Sequence, residues 1–344
     1  MIENGGDLLV DPNLHSRLLE WWKDDPADPD RPKLDNPDVQ QLITEICPGG
    51  HAADLGGVMS LNVKLDRCGV VPRVHQPFVS RQRLLAVQRV RCRLAALGLV
   101  VPVPLRWRNA SVLRCGPRWA ELERYITHKR TEPTLDSYYW LFGAIGILHH
   151  ALAALDATVP RPLVATYAPP GSLRRWLTVT QAAVLDDWEA ANIARLLHDL
   201  ISRLSRQWLP ASQLPQQLVH GDVRLSNVCQ APEGKTVYLD FGFLAYRPRI
   251  HDLAFMLLAL GGHQAPEHFA WQTIPKLIEA YEDTANSPLT TTEKKALAPY
   301  TAAVPLYAAA LDGFSNNPAG QLRGRLPFLR LSEWLLAHPE AMQG

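Results

Sequence analysis

The chain has 344 residues, which is enough for one large two-lobed unit or two ordinary domains. Its 35 basic and 34 acidic side chains leave a net charge of +1, so we expect neither nucleic acid nor an anionic membrane surface as a partner. Hydrophobic residues make up 47% of the chain, which excludes a disordered protein.

The distribution of apolar residues and cysteines favours a cytoplasmic protein. The sequence contains no run of 18 or more uncharged apolar residues, and its first residues are polar and acidic. These features argue against a transmembrane helix and against a signal peptide. The five cysteines, at positions 47, 68, 92, 115 and 229, form no C-x-x-C pair. We therefore expect reduced, partly buried thiols.

The first part of the chain divides into an extension and a small lobe. Residues 1–40 are predicted to be an N-terminal extension, with a short amphipathic helix at 14–22 and an irregular stretch rich in proline and aspartate. Residues 41–126 are predicted to form a small sheet with one helix at 81–97. The strand-like runs are residues 58–65, 69–75, 112–115 and 121–126.

Residues 127–344 have a mostly helical pattern. Helices are predicted at 135–155, 173–186, 189–209, 250–260, 270–284, 292–310 and 326–338, and a short β-rich insert at 218–245. The chain shows no internal repeat. The sequence therefore predicts an α+β protein of two lobes, in which a small β-rich N-terminal lobe is joined to a larger helical C-terminal lobe.

The most informative stretch is LVHGDVRLSNVCQAPEGKTVYLDFGFLAYRPRIHDLAFML, residues 218–257. An apolar run ends at a His-Gly-Asp turn, and two short β-like segments flank Ala-Pro-Glu-Gly-Lys, which is a natural hairpin connection. Such a hairpin would bring Asn227 close to Asp240, and Asp222 would lie on the loop that leads into its first strand. We expect these two carboxylates and the amide oxygen to converge.

Oxygen ligands of this kind suit Mg²⁺, which usually takes one or two protein carboxylates together with substrate phosphates and waters. One carboxylate, Asp222, would stay available to face an incoming hydroxyl group. Metals that neutralise phosphates, together with a positioned acceptor for the proton of the nucleophile, are the parts that phosphoryl transfer needs.

HGDVRLSN followed by LDFG resembles the H-x-D-x-x-x-x-N and D-F-G elements of the protein-kinase-like fold. With glycine after histidine, it is similar to the aminoglycoside phosphotransferase, choline kinase and homoserine kinase superfamily. The resemblance implies that Asp222 is the catalytic base or hydroxyl orienter and that Arg224 touches the γ-phosphate. It also implies that Asn227 and Asp240 hold Mg²⁺.

The spacing after D-F-G indicates the class of acceptor. Asp252, in an apolar helical pattern, follows only 12 residues after Asp240. This leaves little room for the activation segment of a protein kinase, so a small molecule is favoured as the hydroxyl acceptor. Asp252 itself resembles the aspartate of the family that braces the catalytic loop. His149 and His150, on a predicted helix, are interpreted as packing or capping residues.

The small lobe resembles the family less closely. Gly56, Gly57, Ser60 and Asn62 resemble its nucleotide loop, whose backbone N–H groups bind phosphates, with an ordinary hairpin as the alternative. Arg73 stands where the family has its phosphate-binding lysine, and Gln88 replaces the glutamate partner of that lysine.

Residues 121–126 fall where the family has the hinge between its lobes. The resemblance implies that the backbone of Glu121, Glu123 and Tyr125 meets the adenine edge. A connecting strand without a ligand is the alternative.

Together these features predict an ATP- and Mg²⁺-dependent phosphotransferase that acts on a hydroxyl group of a metabolite, amino sugar or antibiotic-like molecule. Two alternatives stay open. One is a pseudokinase that binds nucleotide without turnover, and the other is nucleotidyl transfer on the same scaffold. The sequence predicts neither the acceptor nor the oligomeric state.

Overall fold

The computed structural model describes residues 31–129, 131–162, 166–261, 266, 269 and 271–342. The helix predicted at 14–22 lies outside the described residues. Within them, a β-rich N-terminal part is followed by a helical C-terminal part, which confirms the predicted α+β class. None of the helices in these ranges is both long and apolar enough to span a membrane.

The N-terminal part is built on one antiparallel sheet of six strands. They are β1 (Ala52–Asp54), β2 (Leu61–Leu65), β3 (Val70–Val74), β4 (Pro104–Leu105), β5 (Val112–Cys115) and β6 (Arg118–Arg124). Their order is β1-β2-β3-β6-β4, and β5 also pairs with β6. Buried residues alternate along β2, as expected for a strand with one face in the core. The strands β1 and β4 were not predicted from the sequence.

Two helices lie against this sheet. The sheet and these two helices together are called the N-lobe below. Helix α1 (Pro37–Ile46) buries Val39, Leu42 and Ile43 in the sheet core, and its N-terminus is capped by the Asn36 side chain. The helix crosses the boundary predicted at residue 40, because its apolar stripe is needed to cover the sheet. Helix α2 (Arg81–Ala96) instead buries its apolar residues in the core of the helical part.

The end of α1 is tied to the turn between β2 and β3 by a disulfide between Cys47 and Cys68. The expectation that all five cysteines are reduced is therefore wrong, because the fold brings together two thiols that lie 21 residues apart. The cysteines consequently no longer support a cytoplasmic location. Cys92, Cys115 and Cys229 are free.

The helical part, called the C-lobe below, contains α3 (Leu135–Ala153), α4 (Pro170–Ala183), α5 (Trp188–Gln207), α6 (Ile250–Gly261), α7 (Ile274–Ala285), α8 (Thr291–Leu311), α9 (Pro318–Gly324) and α10 (Leu326–Ala337). Helices α3 and α7 approach closely at Gly146, where an added Cβ would lie 2.5 Å from the Tyr281 carbonyl oxygen. Glycine at this point is thus a packing requirement.

Two short ribbons interrupt the helices of the C-lobe. Strand β7 (Gln216–Val219) pairs antiparallel with β10 (Ala245–Pro248), with Val219 opposite Ala245. Between them lies the hairpin of β8 (Val228–Gln230) and β9 (Thr236–Tyr238). This hairpin confirms the connection predicted around Ala-Pro-Glu-Gly-Lys, and it places the end of β7 beside the end of β9.

Buried charges hold α2 against the sheet. Arg91 forms ion pairs with Glu121 and Glu123, which point to the same side of β6 because they are two residues apart. Glu121 also lies 3.2 Å from His75 Nε2, and it accepts a hydrogen bond of 3.1 Å from Gln88 Nε2. Although burial opposes it, the charge of Arg91 lowers the pKa of Glu121. Burial raises the pKa of Glu123, and the charge of Glu121 adds to that rise.

Gln88→Glu should destabilise the N-lobe, because it places a second carboxylate against Glu121 and removes a donor from the Ser111 carbonyl. We expect a loss of about 2 kcal/mol or more in the free energy of unfolding, measured by urea denaturation. Burial and Glu121 would raise the pKa of the introduced carboxyl in the folded state. The penalty should therefore shrink as the pH is lowered toward about 4.3, the ordinary value for Glu.

Gln88→Met is the matched control, since it keeps the length of the side chain and adds no charge. Equal stability of the Glu and Met variants at neutral pH would contradict the role given to this buried network.

Iodoacetamide labelling tests the disulfide. The native protein should take up label at the exposed Cys92, the unfolded unreduced protein at three cysteines, and the reduced protein at all five. Cys68→Ser should also lower stability by about 3 kcal/mol, the chain-entropy expectation for a loop of this length. Labelling of five cysteines without reduction would show that the bond does not form.

Candidate active site

The His-Gly-Asp turn is held in place by the buried carboxylate of Asp252, near the start of α6. Asp252 accepts hydrogen bonds from the backbone N–H groups of His220 (2.8 Å) and Gly221 (2.9 Å). His149 Nε2 lies 3.0 Å from the same carboxylate, and the other nitrogen of that ring faces Tyr281. Asp252 is therefore a structural brace and His149 a packing residue, as predicted from the sequence.

Gly221 and His220 give the turn its shape. Gly221 has φ +83°, and an added Cβ would lie 2.6 Å from the Phe243 carbonyl oxygen, so no side chain fits there. His220 Nε2 donates to the Leu239 carbonyl (2.7 Å), and His220 Nδ1 accepts from the Asp222 N–H (3.3 Å). Both ring nitrogens of this fully buried histidine are thus used in joining two loops.

Asp222 is 3% exposed and lies at the end of this turn. Its Oδ1 oxygen accepts from Arg224 Nε at 2.7 Å and lies 2.6 Å from Arg224 Nη2, while Oδ2 accepts from Asn227 Nδ2 at 2.9 Å. Burial raises the pKa of Asp222 and the charge of Asp240 adds to the rise, whereas Arg224 opposes it. The carboxylate is held in one orientation and is a stronger proton acceptor than an exposed aspartate.

The hairpin brings Asp240 beside this group. Leu239 N–H donates to the Asn227 carbonyl (2.7 Å), so Asp240 directly follows the residue opposite Asn227. Asp240 has φ +50°, and its Oδ1 oxygen accepts from Gly242 N–H (3.2 Å) and from Arg73 Nη2 (2.5 Å). Burial opposes ionisation, yet the charge and hydrogen bond of Arg73 lower the pKa of Asp240 to about 2.

Asp240 and Asn227 form a sparse set of donors for a cation. Within the described ranges, no group of three or more His, Cys, Asp or Glu residues is arranged to hold a metal ion. A carboxylate and an amide oxygen beside a second carboxylate suit Mg²⁺ only if phosphates and waters complete its coordination. The residues present fit a cation that arrives with a nucleotide.

Arg73 is the N-lobe residue that reaches this site, and its partner differs from the expected one. The sequence placed Gln88 as its neighbour, but Gln88 donates to Ser111 and Glu121 instead. Arg73 pairs with Asp240, which lies 167 residues away in the chain. Its Nε group is buried and makes no hydrogen bond.

The turn between β1 and β2 contains the predicted nucleotide loop. Gly56 (φ +86°) and Gly57 (φ +113°) have left-handed backbone conformations that favour glycine. Asn62 Nδ2 donates to the Gly56 carbonyl at 3.0 Å. Sequence analysis missed Arg31, which donates through Nε to the Gly57 carbonyl (2.6 Å) and through Nη2 to both carboxylate oxygens of Asp54 (2.8 Å). An arginine in a stretch that reads as irregular gives no signal of this contact.

Three other predicted nucleotide ligands lie in structured surroundings. Ser60 is buried, with its hydroxyl 3.5 Å from His75 Nδ1. Glu121 is paired with both β3 and β5, and Glu123 with both β3 and β4, so their backbone groups serve the sheet. This corrects the expectation that these two residues meet adenine, because a central strand has no free edge.

Tyr125 is the first residue beyond β6. Its N–H donates to the Gly69 carbonyl (2.9 Å), and its ring lies under the Lys64 ammonium. The segment that joins the two lobes therefore begins here, within the predicted hinge at 121–126 but after its first four residues.

Comparison with known proteins assigns the chain to a family. The model of the phosphotransferase enzyme family matches residues 63–283, which is more than half of the chain. No curated protein sequence matches it.

Solved structures share the fold. A microcompartment-associated aminopropanol kinase is similar with 14% identity over 88% of this chain and 97% of that one, at a TM-score of 0.68. An amicoumacin kinase in complex with AMP-PNP and Ca²⁺ is similar with 12% identity over 87% and 93%, at a TM-score of 0.61. A spectinomycin phosphotransferase in complex with ADP and spectinomycin is similar with 14% identity over 88% and 98%, at a TM-score of 0.59.

The family match spans the His-Gly-Asp turn, the hairpin and Asp252, and these neighbouring structures are kinases and a phosphotransferase. The chain belongs to the phosphotransferase enzyme family.

Proposed function

We propose that the protein transfers the γ-phosphate of ATP to a hydroxyl group of a small molecule, with Mg²⁺ as the cation. The observation that carries this proposal is the convergence of Asp222, Asn227 and Asp240 at one end of a hairpin. Arg73 reaches the same point from the N-lobe. Two structural neighbours were solved with AMP-PNP or ADP, which supports a nucleotide as the donor.

Asp222 would orient the acceptor hydroxyl and receive its proton. The hydrogen bonds from Arg224 and Asn227 hold the carboxylate in place, and the raised pKa favours proton uptake. Arg224 would lie beside the phosphate that is transferred, where its charge offsets the charge of the phosphoryl oxygens. Positioning and charge neutralisation supply most of the rate in this type of reaction.

Asp240 and Asn227 would hold the Mg²⁺ ion, which neutralises charge on the phosphates when it is bound. The low pKa of Asp240 keeps the carboxylate ionised at neutral pH, as a metal ligand requires. Arg73 would share Asp240 with the ion and direct guanidinium N–H groups that do not contact Asp240 to the phosphates.

The N-lobe would bind the rest of the nucleotide. Backbone N–H groups of Gly57 and Ser60 would contact phosphates. The Gly56 N–H, which donates to Asp54 Oδ1 at 2.8 Å, and the Asn62 side chain would hold the loop in shape. The adenine edge would meet the backbone at 125–127, beyond the end of β6. Residues 127–344 would supply the catalytic loop and the acceptor site, and residues 41–126 the nucleotide site.

The acceptor is proposed to be a small molecule, because β10 and α6 follow Asp240 directly and leave no long peptide-docking segment in the described chain between 240 and 252. The complete Asp222–Asn227–Asp240 set argues against a pseudokinase. Nucleotidyl transfer is the second alternative, and product mass separates it, since the acceptor would gain a nucleotide instead of a phosphate.

Asp222→Asn should lower kcat by roughly 10²–10⁴-fold, because the amide cannot accept the hydroxyl proton. The measurement is ADP release across a panel of hydroxylated metabolites and amino sugars, followed by product mass. The exposed Asp186→Asn variant serves as the control and should match wild type. Retention of more than about a tenth of kcat in Asp222→Asn would remove Asp222 from the role of base or orienter.

Asp240→Asn should weaken the binding of Mg²⁺·ATP. In thermal-shift titrations, Mg²⁺·ATP should raise the melting temperature of wild type by several degrees, about what occupancy at 100 times Kd gives. The shift should be much smaller in the variant. Each protein is compared with its own ligand-free state, because losing the ion pair with Arg73 also lowers basal stability. Equal shifts in both proteins would show that Asp240 does not bind the metal.

A further inference from the structure

Arg247 is a buried cation that lacks a full set of partners. The residue is only 7% exposed, and its Nη1 group is buried without any hydrogen bond. Leaving a charged donor unpaired in the interior costs free energy, so such groups need an explanation. The proposed phosphoryl transfer at Asp222 does not use this residue.

The position of Arg247 is close to the catalytic turn. It lies on β10 opposite Gln217 of β7, the strand that runs directly into His220 and Asp222. Its guanidinium lies over the ring of Tyr167, 5.4 Å from the ring centre. Thr166, the residue before Tyr167 in the chain, donates its hydroxyl to the Gly221 carbonyl at 2.5 Å. Arg247 thus contacts the Tyr167 ring, and Thr166, the neighbour of Tyr167 in the chain, contacts the turn.

The described groups around Arg247 are predominantly positive. The nearby acid, Asp252, already accepts from two backbone N–H groups and faces His149. The other charged side chains that act on it or are affected by it are Arg161 and Arg83. Burial lowers the pKa of Arg247 to about 10, which still leaves it protonated at neutral pH.

Arg83, in the same region, is an arginine whose guanidinium is hydrogen-bonded to backbone carbonyls. It donates to the carbonyls of Gly242 (2.7 Å) and Leu244 (2.9 Å), and also to that of Pro160. Arg247 has no such set of carbonyls. Its unused donor is therefore a feature of this position and not of every buried arginine here.

Aromatic rings form a wall beside this cation. Tyr167 lies against Trp208, which stacks on Tyr300 with 4.1 Å between ring centres. Tyr167 and Trp208 are partly exposed, so the wall has an open side. A flat apolar surface next to one unpaired guanidinium is suited to an organic molecule that has an apolar body and one anionic group.

We propose that Arg247 binds a carboxylate of the acceptor, so that the substrate class is hydroxy acids, including hydroxy amino acids. This inference rests on the proposed phosphotransferase function. A carboxylate would give Arg247 its missing hydrogen-bond acceptor and would neutralise the positive region. Amino alcohols and polycationic amino sugars would instead be repelled by Arg247 and Arg161, and the described side chains around Arg247 offer them no unused carboxylate.

Matched pairs of hydroxyl compounds test the substrate class. Each pair differs in one carboxylate: L-serine and ethanolamine, glycerate and glycerol, mandelate and styrene glycol. ADP release is measured with the full chain and Mg²⁺·ATP, against Asp222→Asn as the background. The acid of a pair should be used with a kcat/KM at least about tenfold above that of its partner, the value of one charge-assisted contact.

The variants test Arg247 itself. Arg247→Met should raise KM for the acids at least about tenfold while changing KM for ATP less than about twofold. Arg247→Lys should recover part of the loss. Arg206→Met, on the exposed face of α5, is the matched control. Each variant is compared with its own ligand-free melting temperature, because Arg247→Met also loses the contact with the Tyr167 ring.

Thermal-shift titrations with the same compounds provide a readout that does not depend on turnover. The acids should stabilise wild type and Arg206→Met but not Arg247→Met. If neither member of any pair releases ADP above the Asp222→Asn background, yet the acids stabilise wild type only through Arg247, the anion site stands and the proposed reaction fails. If amino alcohols or diols are turned over as well as the acids, the reaction stands and the anion site is wrong. Absence of stabilisation by every acid would also overturn the anion site.

Discussion

The carboxylate of Asp252 is the group on which the His-Gly-Asp turn depends. It accepts the backbone N–H groups of His220 and Gly221 at the point where β7 ends, and a glycine at 221 lets the turn pass close to Phe243. Without these bonds, two buried N–H groups would be unsatisfied and the turn would have no fixed shape. The backbone position of Asp222 therefore depends on an interaction in which its side chain takes no part, while Arg224 and Asn227 orient its carboxylate.

A second constraint joins the lobes. Helix α2 has Gln88 where a carboxylate could pair with Arg73, and Gln88 donates a hydrogen bond to Glu121. Arg73 therefore pairs with Asp240, the proposed metal ligand. The N-lobe and the proposed metal site share one ion pair, so a change in either residue should alter both the proposed nucleotide binding and the contact between the lobes. The ion pairs of Arg91 with Glu121 and Glu123 hold α2 against the sheet.

Both signs of charge lie near the His-Gly-Asp turn. Asp222 and Asp240, where a cation and phosphates would meet, are each paired with an arginine, Arg224 and Arg73 respectively. Arg247 has Arg83 and Arg161 near it. An acceptor that carries its own negative charge would offset the charge of Arg247.

The sequence alone determined the features whose information is local: the α+β class from periodicity, and the 228–238 hairpin, with the closeness of Asn227 to Asp240, from turn chemistry. The Asp252 brace, whose partners lie 31 and 32 residues away, was expected only from the family resemblance. Only the tertiary structure decided the partner of Arg73, the contact of Arg31 with the glycine turn, the Cys47–Cys68 bond and the unpaired state of Arg247. These depend on residues brought together from distant parts of the chain, and the placement of two packed lobes is set by the sum of many buried contacts that no local spacing encodes.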